Sequence, residues 1–116
     1  MRSLLLVLLL MPVIATSLAA DARSDAKQQV DFGIEIAQRG LWREAIYRWE
    51  RAIQLDPTYA APQNNLAIAY EQEGALDKAR SAYEKALELE PNNVFIKQNF
   101  ELFKEINDRT TRQDTL

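Results

Sequence analysis

The sequence repeats itself at a spacing of 34 residues, and no other feature restricts its fold as much. Laid over residues 60–93, residues 26–59 give ten identities: Ala26/Ala60, Gln29/Gln63, Ile34/Ile68, Gln38/Gln72, Gly40/Gly74, Ala45/Ala79, Glu50/Glu84, Ala52/Ala86, Leu55/Leu89 and Pro57/Pro91. Phe32/Leu66, Gly33/Ala67, Trp42/Leu76, Trp49/Tyr83 and Asp56/Glu90 keep their chemical character. Each unit has an apolar stretch of helical period, a Gly, a second such stretch, then an acid followed by Pro. Gly40 and Gly74 stand where a helix must stop and reverse, a place that favours left-handed backbone. Pro57 and Pro91 end the second helix, because Pro has no donor for a continuing one. The small residues Gly33/Ala67, Ala45/Ala79 and Ala52/Ala86 allow two helices to approach, and Phe32/Leu66 and Trp49/Tyr83 fill the space between them. Each unit therefore reads as a helix–turn–helix hairpin.

In the second unit, Leu66, Ala67, Tyr70, Gly74, Ala79, Tyr83, Ala86 and Pro91 resemble the signature of the tetratricopeptide repeat family. In the first unit Phe32, Gly33, Ile36, Gly40, Ala45, Trp49, Ala52 and Pro57 hold the same places. Gln29 and Gln63 stand where the family often has Trp, and Ile36 where it has Tyr. The resemblance covers residues 26–93. It implies an all-α fold: a right-handed superhelical array of helix–turn–helix hairpins with a C-terminal capping helix.

A further shift of 34 sets residues 94–107 on a first helix, with Asn99 under Asn65, Phe100 under Leu66 and Leu102 under Ile68. The match then stops. Glu101 replaces the small residue that admits a following helix, and Asp108 replaces the turn Gly. Residues 94–107 are thus expected to cap the open face of the second repeat, and the polar residues 108–116 to form a disordered tail. The expected helices are 26–39, 42–55, 60–73, 76–89 and 94–107, with a short linker at 21–25. Arrays of this kind usually need about three units for independent stability. Two units and a cap leave homodimerisation or folding on a partner open.

The resemblance also implies a concave groove lined by the second, fifth, ninth and twelfth positions of each first helix. In this sequence those are Lys27, Val30, Ile34 and Ala37; Ala61, Asn64, Ile68 and Glu71; and Phe95, Gln98, Leu102 and Glu105. Ile34, Ile68 and Leu102 then form an apolar stripe with Val30 and Phe95 beside it, and Lys27, Asn64, Asn65, Glu71 and Gln98 as polar neighbours. Such a surface suits an extended or helical peptide segment. The alternative is that the same residues pack between units. The family's clamp for a C-terminal carboxylate is not expected: Asn65 matches it, but Val30, Ile34, Phe95 and Asn99 stand where Lys, Asn, Lys and Arg belong. Trp49 and Tyr83 are expected in the hairpin core, and Trp42 at the start of a second helix.

The first twenty residues read as an address. Arg2 precedes an apolar run from Leu4 to Ile14, followed by small residues from Ala15 to Ala20. Cleavage is expected after Ala19, Ala20 or Ala22; only the last has Ala at both −3 and −1. The rival is an uncleaved inner-membrane anchor over residues 4–20, a segment short for a span and broken by Pro12. No Cys and no glycosylation sequon occur, which favours a bacterial periplasm over another secreted setting.

The composition then narrows the function. The chain has no His and no Cys, the commonest general base and the commonest thiolate ligand. The 14 Lys and Arg are outnumbered by 17 Asp and Glu, and one of the cations, Arg2, lies in the leader, so nucleic acid is a poor partner. Glu35, Glu44, Glu71 and Glu84 sit at solvated helix positions with no nucleophile or metal cluster beside them. The reading is an exported, non-enzymatic adaptor that binds a protein or peptide and needs no cofactor and no metal. A self-associating structural protein is the alternative.

Overall fold

The computed structural model describes the backbone of residues 2–115 and the side chains of residues 17–115. The described residues form five helices: α1 (Arg2–Gln38), α2 (Trp42–Leu55), α3 (Ala60–Gln72), α4 (Leu76–Leu89) and α5 (Val94–Asp114). The protein is all-α, and α2, α3 and α4 lie within a residue or so of their expected bounds. The chain divides into two compact units, Met1–Tyr59 and Ala60–Leu116.

The turn inside each hairpin is made the same way. Gly40 adopts φ 80° and Gly74 φ 74°. Gly40 N donates to the Ala37 carbonyl (2.9 Å) and Leu41 N to the Ile36 carbonyl (3.4 Å). The second turn repeats this pair, with Gly74 N on Glu71 (3.0 Å) and Ala75 N on Tyr70 (2.8 Å). These are the paired bonds of a Schellman motif, which satisfies the last helical carbonyls and needs a left-handed residue at one place. The second helices end alike too: Asp56 N and Glu90 N close on the carbonyls of Ala52 and Ala86 before Pro57 and Pro91.

In the first unit Ala26, Val30, Ala45, Trp49 and Ala52 are buried. Trp49 lies against the backbone of Gly33 and donates from Nε1 to the Val30 carbonyl at 3.2 Å. A Cβ at residue 33 would stand 2.8 Å from Trp49 Cδ1 and 2.9 Å from Cε2, and nearer still to Nε1, so only Gly admits the indole here. In the second unit the matching pair is Ala67 and Tyr83, both buried. Tyr83 then joins the cap: its ring lies 5.4 Å from that of Phe100 and 5.5 Å from that of Phe103. A smaller cluster of Ala60, Ala86 and Ile96 with Leu87 and Leu89 completes that core.

Two expectations about helix ends need correction. The expected linker at 21–25 is helical, because α1 runs unbroken from Arg2. No Gly or Pro lies between Pro12 and Gly33 to interrupt it. The expected tail is largely helical as well, since α5 continues to Asp114. Glu105 pairs with Arg109 one turn on, and the hydroxyls of Thr110 and Thr111 donate to the carbonyls of Ile106 and Asn107 (both 3.0 Å). Most of the leader expected at residues 1–20 lies outside the residues whose side chains are described. Among the described residues no helix is long and apolar enough to cross a membrane.

Candidate binding surface

In the first unit, Lys27 and Ile34 point to solvent, Ile34 with 40% of its surface exposed. Ala37 is half-buried. Val30 does not line a surface: at 3% exposure it is part of the hairpin core, and its carbonyl holds Trp49. The fifth position of this helix thus faces the hairpin core rather than a groove.

In the second unit, Phe95 (78%) and Leu102 (58%) are the open apolar residues of α5, and Gln98 is exposed between them. Ile106, four residues beyond Leu102 and also exposed, extends the same face. Ile68 and Ala61 on α3 are half-buried. Glu105 is exposed and paired with Arg109. Two polar candidates, Asn64 and Glu71, serve the fold. Asn64 and Asn65 are half-buried, and Asn64 Oδ1 accepts from Asn99 Nδ2 at 3.2 Å, tying α3 to α5. Glu71 Oε2 accepts from the Tyr83 hydroxyl at 2.6 Å. Burial, with the Glu71 carboxylate behind it, pushes the Tyr83 phenol well above its ordinary pKa.

One polar cluster escapes the repeat pattern. Arg23 Nε donates to Asp56 Oδ2 at 2.6 Å, its Nη2 to Thr58 Oγ1 at 3.2 Å, and its guanidinium lies 4.5 Å from the centre of the Tyr59 ring. Asp56 Oδ1 also accepts from Thr58 N (3.0 Å) and Oγ1 (2.6 Å). The Arg23 bond, then the Thr58 hydroxyl, hold the Asp56 carboxyl below the usual carboxylate range against the opposing effect of burial. The turn around Asp56-Pro57-Thr58 is legible as an Asx turn. Its partner Arg23 has no counterpart at the repeat spacing, so no sequence signal joins the two.

Other openings lie at other registers. An open cleft of about 390 Å³ in the second unit is lined by Gln63, Tyr70, Asp77, Lys78, Ser81 and Ala82. Another of about 310 Å³ in the first is lined by Ile36, Arg43, Glu44, Tyr47 and Arg48. Arg48 is spent on the fold's edge, its guanidinium 4.5 Å from the centre of the Phe32 ring. Among the described residues no group of three acidic side chains converges to hold a metal ion.

Comparison with known proteins agrees with this architecture. A family model described as TPR repeat matches residues 35–74, and one described as tetratricopeptide repeat matches residues 60–93. Over 64 residues the chain is 36% identical to a mouse protein named protein O-mannosyl-transferase TMTC4, a match covering 55% of this chain and 9% of that one. It is 47% identical over 45 residues to an uncharacterized protein ycf37 of Pyropia yezoensis (39% and 25% covered). It is 34% identical over 61 residues to the tetratricopeptide repeat domain-containing protein PYG7, chloroplastic, of Arabidopsis thaliana (53% and 20% covered). The chain thus spans a quarter or less of the length of these relatives. Among solved structures, the Arabidopsis OM64 TPR domain superposes with a TM-score of 0.69 at 19% identity, over 76% of this chain and 73% of that one, a likeness of fold alone.

Proposed function

The chain belongs to the tetratricopeptide repeat family, a family of protein–protein interaction modules, and on that premise we propose that it is an exported, non-enzymatic adaptor. It takes a peptide or helical segment of a periplasmic or envelope protein on its first helices. The observation that carries this reading is one register of the repeat. Ile34 and Leu102, two repeat lengths apart, are both exposed aliphatic residues, and Ile68 midway between them is half-buried. Phe95 and Ile106 widen the apolar face on α5. Water-exposed aliphatic and aromatic side chains recurring at one helical register suit a partner that covers them.

The polar share of the surface is narrower than the full set of groove positions. Lys27 and Gln98 remain free to meet a partner's polar groups, whereas Asn64 and Glu71 already satisfy groups of this chain. Binding therefore rests on apolar contact, with specificity supplied by shape and by few hydrogen bonds.

The test is a crosslinked capture from the native envelope. Wild type is compared with a variant carrying Ile34→Glu, Ile68→Glu and Leu102→Glu whose circular dichroism is unchanged. A partner held by wild type and lost by the variant supports the reading. A partner held equally by both moves binding to another face, and self-crosslinks alone favour a structural homo-oligomer.

A further inference from the structure

We propose that the polypeptide is cut between Ala22 and Arg23, and that Asp25 is a latent helix cap that takes over the start of α1 once the leader has gone. The proposal rests on the exported reading above and adds to it the bond that is broken and the residue that makes the break tolerable.

The repeat register supplies the first observation. Positions 25, 59 and 93 are 34 apart. After position 59 the helix α3 begins at Ala60, and after position 93 the helix α5 begins at Val94. Asn93 is a working N-cap, its side chain accepting from Ile96 N at 3.2 Å. Asp25 holds the same place, and Asp caps as well as Asn does. Gln28, three residues on, is the residue type that returns a bond to the cap's own N–H. Yet α1 passes straight through Asp25. The repeat thus has its natural start at Asp25–Ala26, and the turns before it are an extension without counterpart in the second repeat or the cap.

Tertiary contact supplies the second. Residues 17–21 are exposed and Ala22 is half-buried. Among the described residues, Arg23 is the first whose side chain bonds to the rest of its unit, through Asp56 and Thr58. Helical turns held by their own backbone bonds and little else open at low cost, as a peptidase requires of its substrate. Cutting after Ala22 removes that extension except for Arg23 and Ser24, and keeps the Arg23 bonds. Ala20 and Ala22 at −3 and −1 meet the small-residue demand at this bond. Hydrolysis breaks the Ala22–Arg23 C–N bond; water's oxygen goes to the Ala22 carboxylate, and Arg23 leaves with an α-ammonium. The opened helix then has four N–H groups without partners, and Asp25 is placed to accept one.

The experiment uses the full chain, made in a Gram-negative host with its own leader, and reads the intact mass and N-terminal sequence of the product. A product beginning at Arg23 is expected. One beginning at Ala20, Asp21 or any other residue overturns the boundary while leaving export standing. Full-length chain retained in the membrane overturns the cut, and only full-length chain left in the cytosol overturns the export reading as well. The cap is tested on the same product: Asp25→Ala is expected to lower its melting temperature by several degrees and to leave that of the unprocessed chain, made in the cytosol, unchanged. An equal shift in both forms, or none in either, overturns the latent cap.

Discussion

Replacing Gly33 by Ala sets a methyl group against a wall that cannot move freely. The new Cβ would lie 2.8–2.9 Å from two carbons of the Trp49 ring, and that ring is 3% exposed and tethered through Nε1 to the Val30 carbonyl. Two terms oppose each other. Ala in mid-helix gains about 1 kcal/mol over Gly. Overpacking of a filled core costs about 1–3 kcal/mol, and a fixed aromatic ring puts this site at the upper end. The net expectation is a loss of about 1–2 kcal/mol. The second repeat contains the remedy, since it pairs Ala67 with Tyr83 where the first pairs Gly33 with Trp49. Trp49→Tyr alone should cost about 2 kcal/mol, from a lost indole hydrogen bond and a smaller ring. In the Gly33→Ala/Trp49→Tyr protein the methyl group occupies part of the vacated space, so the combined loss should fall short of the sum by about 1–2 kcal/mol. Urea unfolding of the four proteins, followed by circular dichroism, measures that difference. If Gly33→Ala stabilises the chain, or the cycle is additive within about 0.5 kcal/mol, the close approach is not what makes residue 33 a glycine.

Three further outcomes follow from the same contacts. Asp56 has a folded pKa below its unfolded value, so its contribution is present above about pH 4 and is lost as pH falls through the folded value. Asp56→Asn should therefore lower stability at neutral pH and flatten the acid limb of a stability–pH profile, whereas an unchanged acid limb would mean the Arg23 clasp is loose in solution. Tyr83 has a raised folded pKa, so stability should fall as pH rises past about 10, where the unfolded tyrosine ionises and the folded one does not. Tyr83→Phe should blunt that alkaline loss, read by thermal melts from pH 8 to 11. Phe103→Ala empties the space between Tyr83 and α5 and should cost about 3–5 kcal/mol, with amide exchange in α5 rising first; protection unchanged there would place the cap's anchor elsewhere.

The hairpins were legible because a repeated register reports on packing directly. Ala45, Ala52, Ala79 and Ala86 recur where helices touch, and all four are fully buried. Trp49 and Tyr83 are in the core as their register predicts, and the two glycines have the positive φ their turns require. Helix length was harder to read. Neither the stretch of α1 from residue 13 to 25 nor the far end of α5 carries a Gly or Pro to stop it, and continuation depends on a balance of small local terms. Of the proposed surface, Ile34, Phe95 and Leu102 are exposed, but the register could not show that Val30 is buried in the hairpin core, or that Asn64 and Glu71 are already bonded. Those outcomes depend on which neighbour reaches them. Phe103 was missed although a signal was present: Ile96, Phe100 and Phe103 are spaced four and three apart and share one face of α5. The Arg23–Asp56 pair had no such signal, since it joins residues 33 apart outside the repeat.

A partner segment lying on the apolar register of the first helices would bring its side chains against Leu102 and Ile34. A photo-crosslinking residue placed at Leu102, and separately at Glu84 on the exposed side of α4, tests it in the native envelope. One discrete adduct is expected from Leu102, of the same mass from Ile34, and none from Glu84. An adduct from Glu84 alone, or only chain-to-chain products from Leu102, would contradict it.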